Sequence, residues 1–202
     1  MHIPTVKIIF VNGKIGGGSP PKGALYWGGE DGLFVQKAKV YFGATSTYFT
    51  NEDYGLFSST HKRHCNGHRY AKNNFESITE NMDASRLHFK MITHSMGAAY
   101  GEGIVDCLKL NGYSVTETIH LNPFQAAAIK CNKDKVNGLG THIIDFQNIN
   151  DPIINNPFRS SPGDIKNADK KIRIKAFHKW VYIHRSPISY PEDFWSLLGA
   201  YL

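Results

Sequence analysis

Short apolar runs rich in β-branched and aromatic residues alternate along this chain with stretches whose apolar side chains recur every three or four positions. Val6-Lys7-Ile8-Ile9-Phe10-Val11 ends in Asn12-Gly13 and reads as a buried strand entering a turn. Residues 16–29 hold a Gly triplet, a Pro pair and a Gly pair, and are predicted as an extended loop. Over residues 31–42, Phe34, Val35, Ala38 and Tyr41 fall at helical spacing, and residues 45–50 read as a second strand. Residues 68–82 predict a helix with Ala71, Phe75, Ile78 and Met82 on one face. A strand over 87–93, a helix over 96–110 and strands over 115–121 and 141–148 follow, with 172–177 or 180–183 supplying a sixth strand. Ser189-Tyr190-Pro191-Glu192 reads as a capping box with Pro in the first turn, ahead of Phe194, Trp195, Leu197 and Leu198.

Strands alternating with helices predict a mostly parallel sheet covered on both faces. No internal repeat or linker divides the chain, so residues 1–202 read as a single α/β domain. With 41% apolar and 20% charged residues the chain is too apolar to be disordered. No run of about 18 apolar residues exists, which excludes a transmembrane helix of the usual kind. The start lacks the charged-then-apolar plan of a signal peptide, leaving localisation open between the cytoplasm and a piece of an exported protein. Three cysteines without a CxxC signal neither a disulfide framework nor a structural zinc site.

Charge changes the picture little. The excess of 23 Lys+Arg over 17 Asp+Glu gives +6, but the basic residues are scattered, densest over 166–175. No aromatic RNA-binding pattern or zinc-finger spacing accompanies them, so no specific nucleic-acid partner is expected. Peripheral contact with an anionic membrane surface remains compatible with the charge.

Chemistry concentrates where the third strand ends. Thr93-His94-Ser95-Met96-Gly97-Ala98-Ala99 runs from strand straight into helix, the context a nucleophile elbow requires. A serine on that sharp turn is strained, so the residues two before and two after it must be small. Gly97 meets the second condition; Thr93 stands where Gly is usual. Ala98, Ala99, Gly101 and Gly103 are expected to let the helix approach the sheet closely. The helix N-terminus points a positive dipole at the serine. Taken alone, a Ser before Met-Gly-Ala is also a plain N-cap.

These residues resemble the elbow of the α/β-hydrolase superfamily, and more narrowly lipase-like members with His-Ser-Met-Gly. The chain also resembles hydrolase modules at the ends of large bacterial surface or toxin-like proteins. The order of elements agrees over nearly the whole chain, while the elbow is its one sharp motif. The first two strands of the superfamily sheet have no counterpart, as expected of a minimal version or an excised module.

The resemblance implies an acid and then a histidine downstream. His184, after Trp180-Val181-Tyr182-Ile183 and before the terminal helix, is the expected base, with His178 as the alternative. Asp151, past the fifth strand and before Pro152, is the expected acid; its other reading is a turn-forming Asx residue. Asp145 lies inside the strand, Asp164 in a Ser-Pro-Gly-Asp turn, and the fourth strand ends in Asn122. The oxyanion hole is expected from the Met96 N–H and from the turn Asn12-Gly13-Lys14-Ile15, with Lys14 as donor. Gly16-Gly17-Gly18 lacks the following Gly-Lys-Ser/Thr of a P-loop. His61, His64, Cys65 and His68 would share a helical face suited to zinc, but Gly67 favours a solvated basic turn.

The reading is a serine ester hydrolase, lipase- or esterase-like, working through Ser95, Asp151 and His184 without metal or organic cofactor. Only residues 124–140 are available as a cap, so a large lid is not expected and a lipid or small ester is the expected substrate. Ala24-Leu25-Tyr26-Trp27 reads equally as an acyl-channel wall or as an apolar plug. A catalytically silent hydrolase fold acting as a binding module is the rival reading. Thioesterase or acyltransferase chemistry would use the same three residues.

Overall fold

The computed structural model describes residues 5–14, 22–50, 58–80, 87–154, 163–175 and 184–201. Its strands are β1 (Thr5–Val11), β2 (Ser46–Phe49), β3 (Leu87–His94), β4 (Ser114–Leu121), β5 (His142–Asn148) and β6 (Lys170–Ile174). They form one sheet in the order β2-β1-β3-β4-β5-β6, with every pair parallel. The helices are α1 (Leu33–Phe42), α2 (Thr60–Asn73), α3 (Phe75–Thr79), α4 (Gly97–Leu110), α5 (Ser186–Ser189) and α6 (Pro191–Tyr201).

Period-two alternation in buried strands sends successive side chains to opposite faces. Ile8 and Phe10 of β1 pack with Phe34 and Val35 of α1 and with Phe194, Trp195 and Leu198 of α6. Ile9 and Val11 pack on the other face with Ala71 of α2, Ile78 of α3 and Tyr100, Ile104 and Val105 of α4. The predicted α/β sheet with helices on both faces is therefore the observed one, with six strands.

Chain order reverses beside β1: β2 lies on one side of it, and β3 through β6 follow on the other. In open parallel sheets the crevice at such a reversal, at the carboxyl ends of the strands, is where ligands bind. Val11 pairs with Thr93, so Asn12-Gly13 and His94-Ser95 leave the sheet side by side at that point.

Four details depart from the sequence reading. Residues 23–27 of the expected loop form a 3-10 helix that buries Tyr26 and Trp27, so these two rings are a plug for the core, while Leu25 stays exposed. The basic turn at His61–His68 is helix: α2 starts at Thr60, capped by the Ser59 side chain accepting from the Lys62 N–H. Gly67 does not break α2 but lets it touch α4, since a Cβ there would lie 1.9 Å from the Tyr100 carbonyl oxygen. Gly103 serves the same contact from the other helix, its Cβ position lying 2.0 Å from the His64 oxygen, rather than facing the sheet. Ser189 ends α5 instead of capping α6, which begins at Pro191. The sixth strand is residues 170–174; residues 180–183, Met82 and the triplet at 16–18 lie outside the described residues.

Candidate active site

Ser95 sits between the last residue of β3 and the first of α4 with φ 54°, in the left-handed region that non-glycine residues seldom adopt. Neighbouring backbone holds it there. Its N–H donates to the Leu121 carbonyl at 3.0 Å, and its carbonyl accepts from Phe124 N–H at 3.1 Å. The turn is tight enough that a Cβ on Gly97 would lie 2.4 Å from the Asn12 oxygen, so glycine is required two residues after Ser95. Two residues before it, Thr93 is accommodated because Gly101 leaves room: a Cβ there would meet Thr93 Cγ2 at 2.6 Å. The room that Thr93 needs ahead of the turn is thus supplied from within α4.

The turn after β1 presses on the same spot. A Cβ on Gly13 would stand 2.8 Å from Ser95 Cβ, from His94 Nδ1 and from the Tyr26 hydroxyl. The Gly13 N–H donates to the Tyr26 oxygen. Lys14, the expected oxyanion donor, follows and is half-buried. Met96, the other expected donor, lies at the N-cap of α4, where the first amides have no acceptor within the helix.

Asp151 is fully buried beyond β5, and its Oδ2 accepts from His184 Nδ1 at 2.5 Å. Its Oδ1 accepts from the Ile153 N–H at 2.8 Å, so the Asx turn and the imidazole partner coexist on one carboxylate. With the proton on Nδ1, the neutral ring of His184 keeps its lone pair on Nε2, the nitrogen a general base uses. That Nε2 is buried and has no hydrogen-bond partner among the described residues, Ser95 included. His178 lies outside the described residues.

His184 is also held by its backbone. Its carbonyl accepts from His94 Nε2 at 2.7 Å and from Asn122 Nδ2 at 2.8 Å. Because a carbonyl only accepts, His94 carries its proton on Nε2, and its Nδ1 accepts from the Tyr26 hydroxyl at 2.5 Å. Burial, with repulsion from His184 and Arg185 added, holds the His94 pKa well below the usual histidine value. Burial likewise raises the Tyr26 phenol. Arg185 completes the assembly, donating to the Tyr26 carbonyl at 2.5 Å with its guanidinium 4.8 Å from the centre of the Tyr26 ring.

In the sequence His94 has no part in the site, Tyr26 reads only as a channel wall or plug, and Asn122 marks only a strand end without an acid. Only Asn122 left a usable sign, as an Asn at a strand end before Pro, where its φ of 43° places it in the left-handed region. Asp145 makes no contribution here: it is buried against Arg173 at 2.7 Å, Gln147 and the Ile165 N–H.

No protein-family model and no curated protein sequence matches the chain. Solved structures similar to it include an arylesterase at 11% identity and TM-score 0.49, covering 96% of this chain and 73% of that one. An ester hydrolase from the metagenome of Lake Arreo aligns at 11% identity and TM-score 0.45, over 98% of this chain and 73% of its own. A fungal esterase from Rhizomucor miehei aligns at 13% and 0.42, over 97% and 76%.

Proposed function

We propose that this protein is a serine ester hydrolase in which Ser95 is the nucleophile, His184 the base and Asp151 its orienting carboxylate. The observation that carries the reading is the strained left-handed Ser95 at a strand-to-helix turn, at the reversal point of a parallel sheet. The His184–Asp151 bond supports it, since it leaves Nε2 as the basic nitrogen. Structural N-caps do not need a positive φ or a buried imidazole with an unused nitrogen.

Ser95 Oγ adds to the acyl carbonyl as its proton passes to His184 Nε2, and Asp151 stabilises the imidazolium. The Met96 N–H and an amide of the turn after β1 hold the oxyanion. By the resemblance to lipase-like hydrolases, Lys14 is the second donor in this reading. Collapse breaks the acyl–oxygen bond, and His184 returns its proton to the leaving alcohol. Water, deprotonated by His184, then cleaves the acyl-Ser95 ester and regenerates the hydroxyl. The substrate class is a lipid or small carboxylic ester, and none of these steps calls on a cofactor.

A fluorophosphonate probe followed by intact-mass measurement tests this directly. One adduct on the wild type, lost in Ser95→Ala and in His184→Ala, is the expected result. No adduct on folded wild-type protein would overturn the reading in favour of a silent fold used for binding.

A further inference from the structure

On the far side of the Ser95 turn, α4, β4 and the loop after β4 each contribute one buried side chain to a cluster: Glu102, His120 and Cys131. Glu102 Oε1 lies 3.1 Å from His120 Nε2, and Cys131 Sγ lies 3.5 Å from that same nitrogen. The three donor atoms fall within 4.8 Å of one another.

The geometry tells two chemistries apart. In a Cys-His-Glu nucleophile system, thiol and carboxylate occupy opposite nitrogens of the ring. Here both crowd Nε2, while Nδ1 is taken by Thr93 Oγ1 at 2.8 Å. One nitrogen carries at most one proton and cannot serve two neighbours. Moreover, Glu102 Oε1 lies at ion-pair distance from Nε2 without a well-formed hydrogen bond to it among the described residues. The Cys131 thiol is hydrogen-bonded to Glu102, and all three donor atoms converge on one point. Around a tetrahedral zinc, bond lengths of about 2.3 Å to sulfur and about 2.0–2.1 Å to nitrogen and oxygen place S···N about 3.5 Å and N···O about 3.3 Å apart.

We propose that Glu102, His120 and Cys131 are the protein ligands of a zinc-type divalent cation, Cys131 binding as thiolate. The thiolate–imidazole–carboxylate set selects zinc over magnesium or calcium. One carboxylate and one thiolate balance the dication, and the thiol proton leaves to solvent on binding. Outer partners are in place: Thr93 fixes the His120 ring, and the Asn132 N–H donates to Glu102 Oε2 at 3.0 Å. A cavity of about 330 Å³ lined by His61 and His64 reaches Glu102, one of the three ligands. Bound there, the metal braces the elbow from both sides, through α4 behind Ser95 and through Thr93 ahead of it. This departs from the sequence expectation of no metal, and it does not depend on ester hydrolysis.

Cobalt titration of the metal-stripped full chain is the test, read by the sulfur-to-cobalt charge-transfer band. The exposed pair Cys65 Sγ and His61 Nε2, 3.5 Å apart, is the competing thiolate site, so the double variant Cys65→Ser/Cys107→Ala is titrated beside the wild type. It leaves Cys131 as the one thiol without touching the proposed ligands. A band saturating at one equivalent in wild type and double variant, displaced by zinc, is expected. Glu102→Gln weakens binding at least tenfold. Zinc at a hundredfold above its Kd raises Tm by roughly 5–10 °C in the double variant. No band in the folded double variant overturns the proposal, as does a band that disappears with Cys65 alone.

Discussion

His94 Nε2 donates to the backbone carbonyl of His184 at 2.7 Å, tying the strand that delivers Ser95 to the residue that answers Asp151. The imidazole of His184 is therefore fixed twice, at Nδ1 by Asp151 and through its own backbone by His94 and Asn122. His94 is in turn set by Tyr26, and Tyr26 by the Gly13 N–H that borders Ser95. A single chain of hydrogen bonds passes from the turn after β1 to the proposed base.

His94→Phe tests that chain. Phenylalanine keeps an aromatic ring between Tyr26 and His184 but removes both nitrogens. It leaves the Tyr26 hydroxyl without its acceptor and the His184 carbonyl with one donor fewer. Urea unfolding should show a loss of about 1–3 kcal/mol. For a positioning residue the kinetic signature is a fall in kcat of tenfold or more with KM little changed, on any ester the wild type hydrolyses. A proportional rise in KM at constant kcat would mean that His94 contacts substrate instead.

The left-handed backbone at Ser95 stores strain that only glycine relieves. Ser95→Gly is expected to abolish probe labelling and yet stabilise the fold by about 1 kcal/mol, the relief of strain exceeding the added freedom of glycine in the unfolded chain. At this chain length that is about 2–4 °C in Tm. Ser95→Ala also abolishes labelling but retains the strain, so its Tm should fall below that of Ser95→Gly. Equal melting temperatures for the two would show the turn to be unstrained.

Local pattern made the architecture legible. β1, β3, β4 and β5 are short runs whose apolar residues fill both faces of a buried sheet, and the strand-turn-helix at Ser95 needed no long-range information. Asp151 and His184 were singled out by order along the chain, and the two side chains are hydrogen-bonded. The helix start at Thr60 was not, because α2 carries polar and basic residues on nearly every face. Its stability comes from tertiary contacts and not from propensity: Gly67 and His64 pack on α4, and Arg63 is buried over Phe124 and hydrogen-bonded to Ser58 and Gln125. Contacts between residues far apart in sequence, such as Tyr26 with His94 or Glu102 with Cys131, leave no periodicity to read.

Gly67 is the sharpest test of the α2–α4 contact. In an exposed helix, Gly→Ala stabilises by about 1 kcal/mol. At this position the added methyl would stand 1.9 Å from the Tyr100 carbonyl oxygen, backbone that cannot move without shifting α4. Gly67→Ala should therefore destabilise by about 1–3 kcal/mol despite the better propensity, a reversal of sign that urea titration resolves. Gly112→Ser is a useful contrast, since nothing lies within 4 Å of its Cβ position and only its φ of 82° opposes substitution.

The buried neutral His94 also fixes a pH dependence. Its native pKa lies well below its unfolded value of about 6.5, so below that pH the unfolded chain takes up a proton that the native state refuses. The stability His94 confers is complete above about pH 6.5 and is lost as pH falls through that value, by at most about 1.4 kcal/mol per pH unit. Other groups titrate in the same range. His64, raised by its bond to Asp106, acts in the opposite sense, stabilising the fold at lower pH. The comparison must therefore be between proteins that differ at His94 alone. The destabilisation caused by His94→Phe, measured by urea at pH 7.5 and again at pH 5.5, should be about 1.4 kcal/mol smaller at the lower pH. An equal difference at the two values would mean that His94 takes up its proton as readily in the native state as in the unfolded chain, and the hydrogen bond it accepts from Tyr26 would have to be redrawn.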